Sequence, residues 1–353
     1  MVKIHHNFRD LRLEFPAAAS LLSARDLFSS LAWFELLATK GNTFDAPLQL
    51  IVASDPHSGS TLCIPTVDTK YLHSLSNYYS GLYGPLYLSG TGENFDYTEL
   101  CQWFYAHRRR WPTLDFQPLD KSERFCQQLQ TGLQNAGYWT DLHFRFGNWF
   151  LDVAGQSYEQ YLSQRSSRLQ HTIERGRKKA QRAGTLSLEI HQNPGKELDN
   201  AIIEFSGIYS QSNKPAESHP QFIAALCQLA ASHGILRLGI LKLNGLPVAS
   251  QLWLVHQDKA SIYKLAHSEK HNAFSAGTLL TAHLMQQVID VDQVREVDYL
   301  SGDEAYKKEW MSGRRERHGL IAFNPSTWAG LIHASKHFAG RFLKSLGARR
   351  SPK

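Results

Sequence analysis

The sequence has no stretch approaching the roughly 20 consecutive apolar residues that a membrane-spanning helix needs. Its apolar run around Leu13 to Leu22 is broken by Glu14 and Pro16 and followed by Arg25 and Asp26, which does not suit a secretory signal and points to a cytoplasmic protein. Cysteine is scarce. Cys63, Cys101, Cys126 and Cys227 are widely separated and form no Cys-x-x-Cys pair, so neither a zinc knuckle nor a redox pair is expected, and no metal. Buried, reduced thiols are the expected form. Low-complexity segments are missing too, and hydrophobic residues at 42% with charged residues at 20% suit a folded chain. The formal net charge of +6 fits an acidic partner, such as a phosphorylated cofactor, an anionic glycan or a membrane surface, but is too weak to argue for nucleic acid.

What is there is enough chain for two domains: 353 residues, with an α/β or α+β pattern. In the first half, strand-like segments (Leu48–Ala53, Leu62–Val67, Leu86–Leu88, Leu114–Leu119) mix with helical ones (Ser20–Lys40, Tyr97–Arg109, Ser122–Ala136). A tyrosine- and glycine-rich stretch from Tyr78 to Tyr97 reads either as a binding surface or as an ordinary packed edge. Leu142–Phe146 and Trp149–Val153 are expected to pair as a hairpin turning at Gly147-Asn148, with a domain boundary near Gly155. Ser157 and Gln160 resemble a capping box, opening one helix that runs to about Ala183. That helix is the most basic element in the chain, and Arg168, Arg175, Lys179 and Arg182 share one of its faces. It reads as a solvated face or as a site for a phosphate-bearing acceptor, to which Arg168 and Arg175 would bind bidentately.

Leu236 to Trp310 is the most informative stretch. Three strands (Leu236–Lys242, Pro247–His256, Ala260–His267) lead into a helix, Ala276–Asp290, whose Leu280, Leu284, Val288 and Val291 form an inward stripe. A helix start just after a strand presents unpaired N–H groups and a positive dipole end, so Ser275, Ala276, Gly277 and Thr278 are candidate phosphate-binding residues. Gly277 lets a ligand approach the backbone, and Thr278 adds a hydroxyl. A further strand, Glu296–Leu300, is followed by Asp303, Tyr306, Lys307 and Trp310, spaced to share one side of a helical turn. There a carboxylate, a phenol and an ammonium could move protons and steady charge. His267 and His271 offer a second candidate base, and Trp253 and Trp310 read as core.

Leu236–Phe323 resembles the acyl-CoA-binding half of the GNAT acyltransferase superfamily, and more narrowly the branch of CelD/BcsL-type proteins of exopolysaccharide and cellulose biosynthesis, related to the FemABX peptidyl transferases. The resemblance rests on the strand pair, Tyr263-Lys264-Leu265-Ala266, Ser275-Ala276-Gly277-Thr278-Leu279-Leu280, and the run from Val297 to Lys307 with Trp310, and it reaches back through the basic helix from Tyr158. It implies tandem GNAT-like lobes, each a mixed central sheet flanked by helices: a degenerate lobe over residues 1–155, an acyltransferase lobe over 156–326, and a basic C-terminal helix over 327–353 that docks on the first lobe. It also implies an N- or O-acyltransferase that uses acyl-CoA, with acetyl-CoA the expected donor, on a glycan, nucleotide-sugar or lipid-linked intermediate of envelope synthesis. Asp303 is then the candidate base, Tyr306 the candidate acid, and Lys307 a residue that meets a phosphate or pairs with Asp303. One departure is the single glycine in Asn272–Thr278, where the superfamily usually carries two small residues.

Two other readings remain: Fem-type aminoacyl transfer from tRNA to a peptidoglycan precursor, weakened by the lack of a heptad-bearing arm, and a non-catalytic scaffold for an acidic glycan or partner protein. From Trp328 to Leu346 an apolar helical face alternates with Lys336, Arg341 and Lys344, a pattern that suits either docking or contact with the inner face of an anionic membrane. Oligomeric state is not legible.

Overall fold

The computed structural model describes residues 1–19, 24–41, 44–268 and 274–350. The chain forms two compact units, one of residues 1–145 with 316–353 and the other of residues 146–315. In chain order, the first unit contributes β1 (Val2–His5), α1 (Phe8–Glu14), α2 (Leu31–Leu36), β2 (Leu48–Asp55), β3 (Ser60–Asp68), β4 (Leu72–Ser74), β5 (Leu86–Ser89), α3 (Thr98–Ala106), β6 (Thr113–Asp120) and α4 (Arg124–Asn135). The chain enters the second unit within β7 (Trp139–Asp152) and continues through α5 (Tyr158–Ser163), α6 (Ser167–Ala183), β8 (Leu186–His191), α7 (Lys196–Ser210), α8 (Pro220–Ser232), β9 (Leu236–Leu243), β10 (Leu246–His256), β11 (Lys259–His267), α9 (Ala276–Gln286), β12 (Glu296–Asp298) and α10 (Lys307–Trp310). It returns within β13 (Gly313–Phe323) and ends in α11 (Trp328–Arg350).

Each unit is a mixed sheet with helices packed on it. In the first, β1, β2, β3, β4 and β6 lie in that order, β4 and β6 run parallel, and residues 317–323 of β13 pair antiparallel with β6. Tyr79, Tyr83 and Tyr97 of the glycine-rich stretch are buried and pack into the core, whereas Tyr78 is exposed. All four cysteines are buried and free, as expected. Helix α11 docks within this unit through polar and ring contacts: His333 meets the Thr113 hydroxyl at 2.8 Å, the Asp141 carboxylate accepts from His337 at 2.6 Å and from Arg341, and the His337 and Phe338 rings meet Phe323.

In the second unit the strand order is β7-β12-β11-β10-β9-β8, antiparallel except for the β11–β12 pair. Helices α7, α8 and α9 lie on this sheet, and α6 lies on α9. Three expectations need correction here. The hairpin at Gly147-Asn148 is one continuous strand, because Asn148 is buried and its amide donates to the Leu300 carbonyl at 2.7 Å and to Asp298. The single basic helix is two, because the Ser166 hydroxyl caps a second start by accepting from Leu169 N–H. The stripe of α9 holds for Leu280, Leu284 and Val288, but Val291 is exposed because a π-helical turn over Gln287–Val291 rotates the register.

Candidate active site

The parallel strands β11 and β12 are in register only at Lys259–Glu296, Ala260–Val297 and Ser261–Asp298. Beyond that point β12 ends while β11 runs on to His267, so the two strands part and one edge of β11 from Ile262 to His267 is left without a β12 partner. A cavity of about 370 Å³ opens there, at the carboxyl ends of the parallel strands where ligands of α/β sheets collect. Leu265, Ala266 and His267 of β11 line it, together with Gly277, Thr278 and Thr281 of α9. Tyr299, Tyr306 and Trp310 close another wall, and Arg168, Thr172 and Lys214 stand around it.

The first turn of α9 faces this space. Ser275 adopts a left-handed conformation (φ 56°, ψ 52°) and its side chain does not cap the helix, so the amides of Ala276, Gly277 and Thr278 precede any intrahelical acceptor. Leu279 N–H returns to the Ser275 carbonyl at 3.1 Å. Gln251, buried in the middle of β10, fixes the turn: its amide donates to the Gly277 carbonyl at 2.9 Å and to the Thr281 hydroxyl at 2.8 Å, while its oxygen accepts from the Trp253 indole at 2.9 Å. From the other side, Gly176 of α6 lets the two segments meet, since a Cβ there would lie 2.6 Å from the Phe274 carbonyl oxygen. At Gly277 a Cβ would meet nothing closer than the His267 ring at 3.5 Å, so among the described residues the helix start is bare toward the cavity.

Two phenols border the site. Tyr299 is fully buried, and burial holds its pKa well above the ordinary value with the nearby Tyr306 adding to the effect. Tyr306 stands 5.8 Å away, edge-on, and is pushed up to about 12 by burial and then by Glu304. Both stay protonated at neutral pH, and the Tyr306 hydroxyl is a proton donor beside the cavity.

The segment after β12 is shaped by a charge network. Arg315 donates to Glu296 at 2.7 and 2.9 Å, to Asp298 at 2.6 Å and to the Asn148 oxygen at 2.6 Å. Burial opposes its charge, but these acceptors raise its pKa above the ordinary value. Asp298 also accepts from Leu300 N–H at 2.6 Å, which turns the chain away from the sheet.

Asp303, Tyr306, Lys307 and Trp310 do not share a helical face, because α10 begins only at Lys307 and Asp303 precedes it in an irregular segment. Asp303 is not among the residues lining the cavity. Its carboxylate forms a two-pronged pair with Arg314 at 2.7 and 2.8 Å, lies against Gly147, and is held below its usual pKa chiefly by that pair. Lys307 is turned inward, donating to the Ser301 carbonyl and pairing with Glu304 at 2.8 Å rather than with Asp303. Arg168 lines the cavity with an exposed side chain 3.7 Å from Glu309, whereas Arg175 is exposed but outside the lining. Gly277 and Thr278 line the cavity, while Ser275 and buried Ala276 form the turn behind them. Trp253 and Trp310 are core residues. His267 lines the cavity, and His271 lies outside the described residues.

Sequence reasoning missed Gln251, Thr281 and Lys214. Gln251 carried a signal, being a lone amide inside the apolar strand Val248–Val255, where a buried polar group needs a specific partner. Outside this site, Asp141, His143 and His337 of the first unit bring ligand atoms within 4.8 Å of one another, although Asp141 already serves His337 and Arg341.

In sequence, residues 167–308 match the acetyltransferase (GNAT) domain family. No curated protein matches the chain. Among solved structures, the chain is similar to FemX over 92% of its length and 97% of that chain, with a TM-score of 0.55 at 11% identity. It is similar to a conserved protein of unknown function from Bacteroides thetaiotaomicron VPI-5482 over 92% of its length and all 100% of the other, with a TM-score of 0.57 at 11% identity. The C-terminal domain of a putative lysylphosphatidylglycerol synthetase from Agrobacterium fabrum is similar over 80% of this chain and 86% of its own, with a TM-score of 0.52 at 13% identity. The matched segment runs from the start of α6 into α10 and contains α9, β11 and Tyr306.

Proposed function

We propose that the cavity holds the thioester end of an acyl-CoA and passes its acyl group to an amine or hydroxyl of a glycan, nucleotide-sugar or lipid-linked acceptor, as in the CelD/BcsL-type branch. The observation that carries this reading is the bare first turn of α9 facing the cavity where β11 and β12 part. Unsatisfied amides and a dipole end suit a diphosphate. The end of β11 that lines the cavity, Leu265 to His267, suits an extended, amide-bearing arm, which adds to a strand by main-chain hydrogen bonds. Arg168 and Lys214 supply positive charge beside it.

In the reaction the acceptor heteroatom attacks the thioester carbonyl, its proton passes to a base, the carbon–sulfur bond breaks and the thiolate takes a proton. Tyr306 gives that last proton. His267 receives the first, because it lines the cavity, while Asp303 is committed to Arg314 and its depressed pKa makes it a poor proton acceptor. Acetyl-CoA should raise the melting temperature by an amount that grows with the logarithm of its excess over Kd, and Tyr306→Phe should keep that shift while losing about 10²–10⁴-fold in kcat. Absence of any shift with acetyl-CoA or free CoA would end the proposal.

A second reading is aminoacyl transfer of the Fem type, favoured by the exposed cations Arg175, Arg177, Lys178, Lys179 and Arg182 on α6. Steeply salt-dependent binding of tRNA, without any effect of acetyl-CoA, would select it.

A further inference from the structure

Helix α11 is inside out. The side that docks on the first unit carries His333, Ala334, His337 and Arg341, and the first, third and fourth of these reach polar partners. Away from those contacts Trp328 is 84% exposed, Ile332 50%, Phe342 63% and Leu343 67%, with Phe338, 41% exposed, at the margin where its ring meets Phe323. At α-helical spacing those five fall within one arc of about 140°. An aromatic and aliphatic face of this extent shown to water marks an interaction site.

We infer that this face inserts into the headgroup region of an anionic lipid surface. Charge selects that occupant. From Trp328 onward the sequence has no acidic residue but carries Lys336, Lys344, Arg349, Arg350 and Lys353 besides Arg341, which Asp141 engages. Exposed Lys336 borders the apolar arc, where a long cationic side chain reaches headgroups while its neighbours enter the acyl boundary. A second copy of the chain would bring like charges together, whereas anionic headgroups complement them. The helix is not apolar enough to cross a membrane, so it lies on the surface. The inference does not depend on the acyltransferase reading.

The test is sedimentation of the full chain with vesicles of phosphatidylglycerol and phosphatidylcholine in equal parts, and with phosphatidylcholine alone. The wild type should pellet with the anionic vesicles, less so at high salt, and its partition should fall about tenfold or more in Ile332→Ser/Leu343→Ser. Both positions are exposed, so the melting temperature should not move; if the double variant fails to fold, Lys336→Glu takes its place. A wild type left in the supernatant, or variants that pellet equally well, would overturn the inference. So would a wild-type dimer that the double variant abolishes with no dependence on lipid, because the face would then be covered by a second copy.

Discussion

A methyl group added at Gly277 and one added at Gly176 should have opposite consequences, although both glycines border the start of α9, Gly277 within it and Gly176 from the middle of α6. At Gly176 the new Cβ would stand 2.6 Å from the Phe274 carbonyl oxygen and 3.4 Å from a Leu279 methyl, and backbone does not yield cheaply. Overpacking of this kind costs about 1–3 kcal/mol, from which the better helix propensity of alanine recovers up to about 1. Gly176→Ala should therefore lose about 1–2 kcal/mol of stability. At Gly277 the nearest neighbour is the His267 ring at 3.5 Å, an ordinary contact, so Gly277→Ala should fold as well as the wild type or better by up to about 1 kcal/mol. Its methyl instead occupies the approach to the bare amides, and losing a charge-assisted hydrogen bond to a phosphate is worth about 1.5–3 kcal/mol, or roughly 10- to 150-fold in Kd. Urea unfolding followed by tryptophan fluorescence reads the first quantity, and calorimetric titration with CoA the second. If Gly277→Ala binds CoA like the wild type, the α9 start is not the diphosphate site. If both variants lose the same stability, the close approach of α6 is not what Gly176 serves.

Other substitutions and pH separate structural from chemical roles. Asp303→Asn should cost under about 1 kcal/mol, being an exposed ion pair, and should keep most of the thiol-release activity; near-complete loss of turnover would restore Asp303 as the base. Arg315→Met leaves Asp298 buried without its cation, so its urea midpoint should fall by the equivalent of about 3–5 kcal/mol, and a loss under 1 would show the network to be dispensable. His143, His318 and His333 of the first unit all have pKa values lowered first by burial. The unfolded chain then binds more protons than the folded one, so this stability is complete above about pH 6.5 and is lost as the pH falls through the lower folded values. Urea midpoints at pH 7.5 and 5 should show that loss, and a flat or rising profile toward acid would contradict it.

Much of the second unit was written in its pattern. Alternation gave β9, β10 and β11, Asn244-Gly245 marked the turn between the first two, and an apolar stripe with a glycine at its head gave α9. The cavity lining was legible only where a residue belongs to a local element, as Gly277 does at the start of α9 and Tyr306 beside α10. Asp303 and Lys307 were misplaced because spacing says which residues can share a face if a helix forms, and here the helix starts late. Their partners are Arg314, from beyond α10, and Glu304 together with the Ser301 carbonyl.

By itself the sequence determined the periodicities, the turns, the scarcity of acid in the tail and the resemblance carried by residues 236–323, because those are properties of neighbours along the chain. The tertiary structure decided what is available for chemistry. Parting of β11 from β12 makes a cavity of a helix start that elsewhere would be an ordinary end, Gln251 and Gly176 fix that start from two other elements, and the docking of α11 turns its apolar side outward. Each depends on contacts between residues far apart in sequence, and no local propensity encodes them.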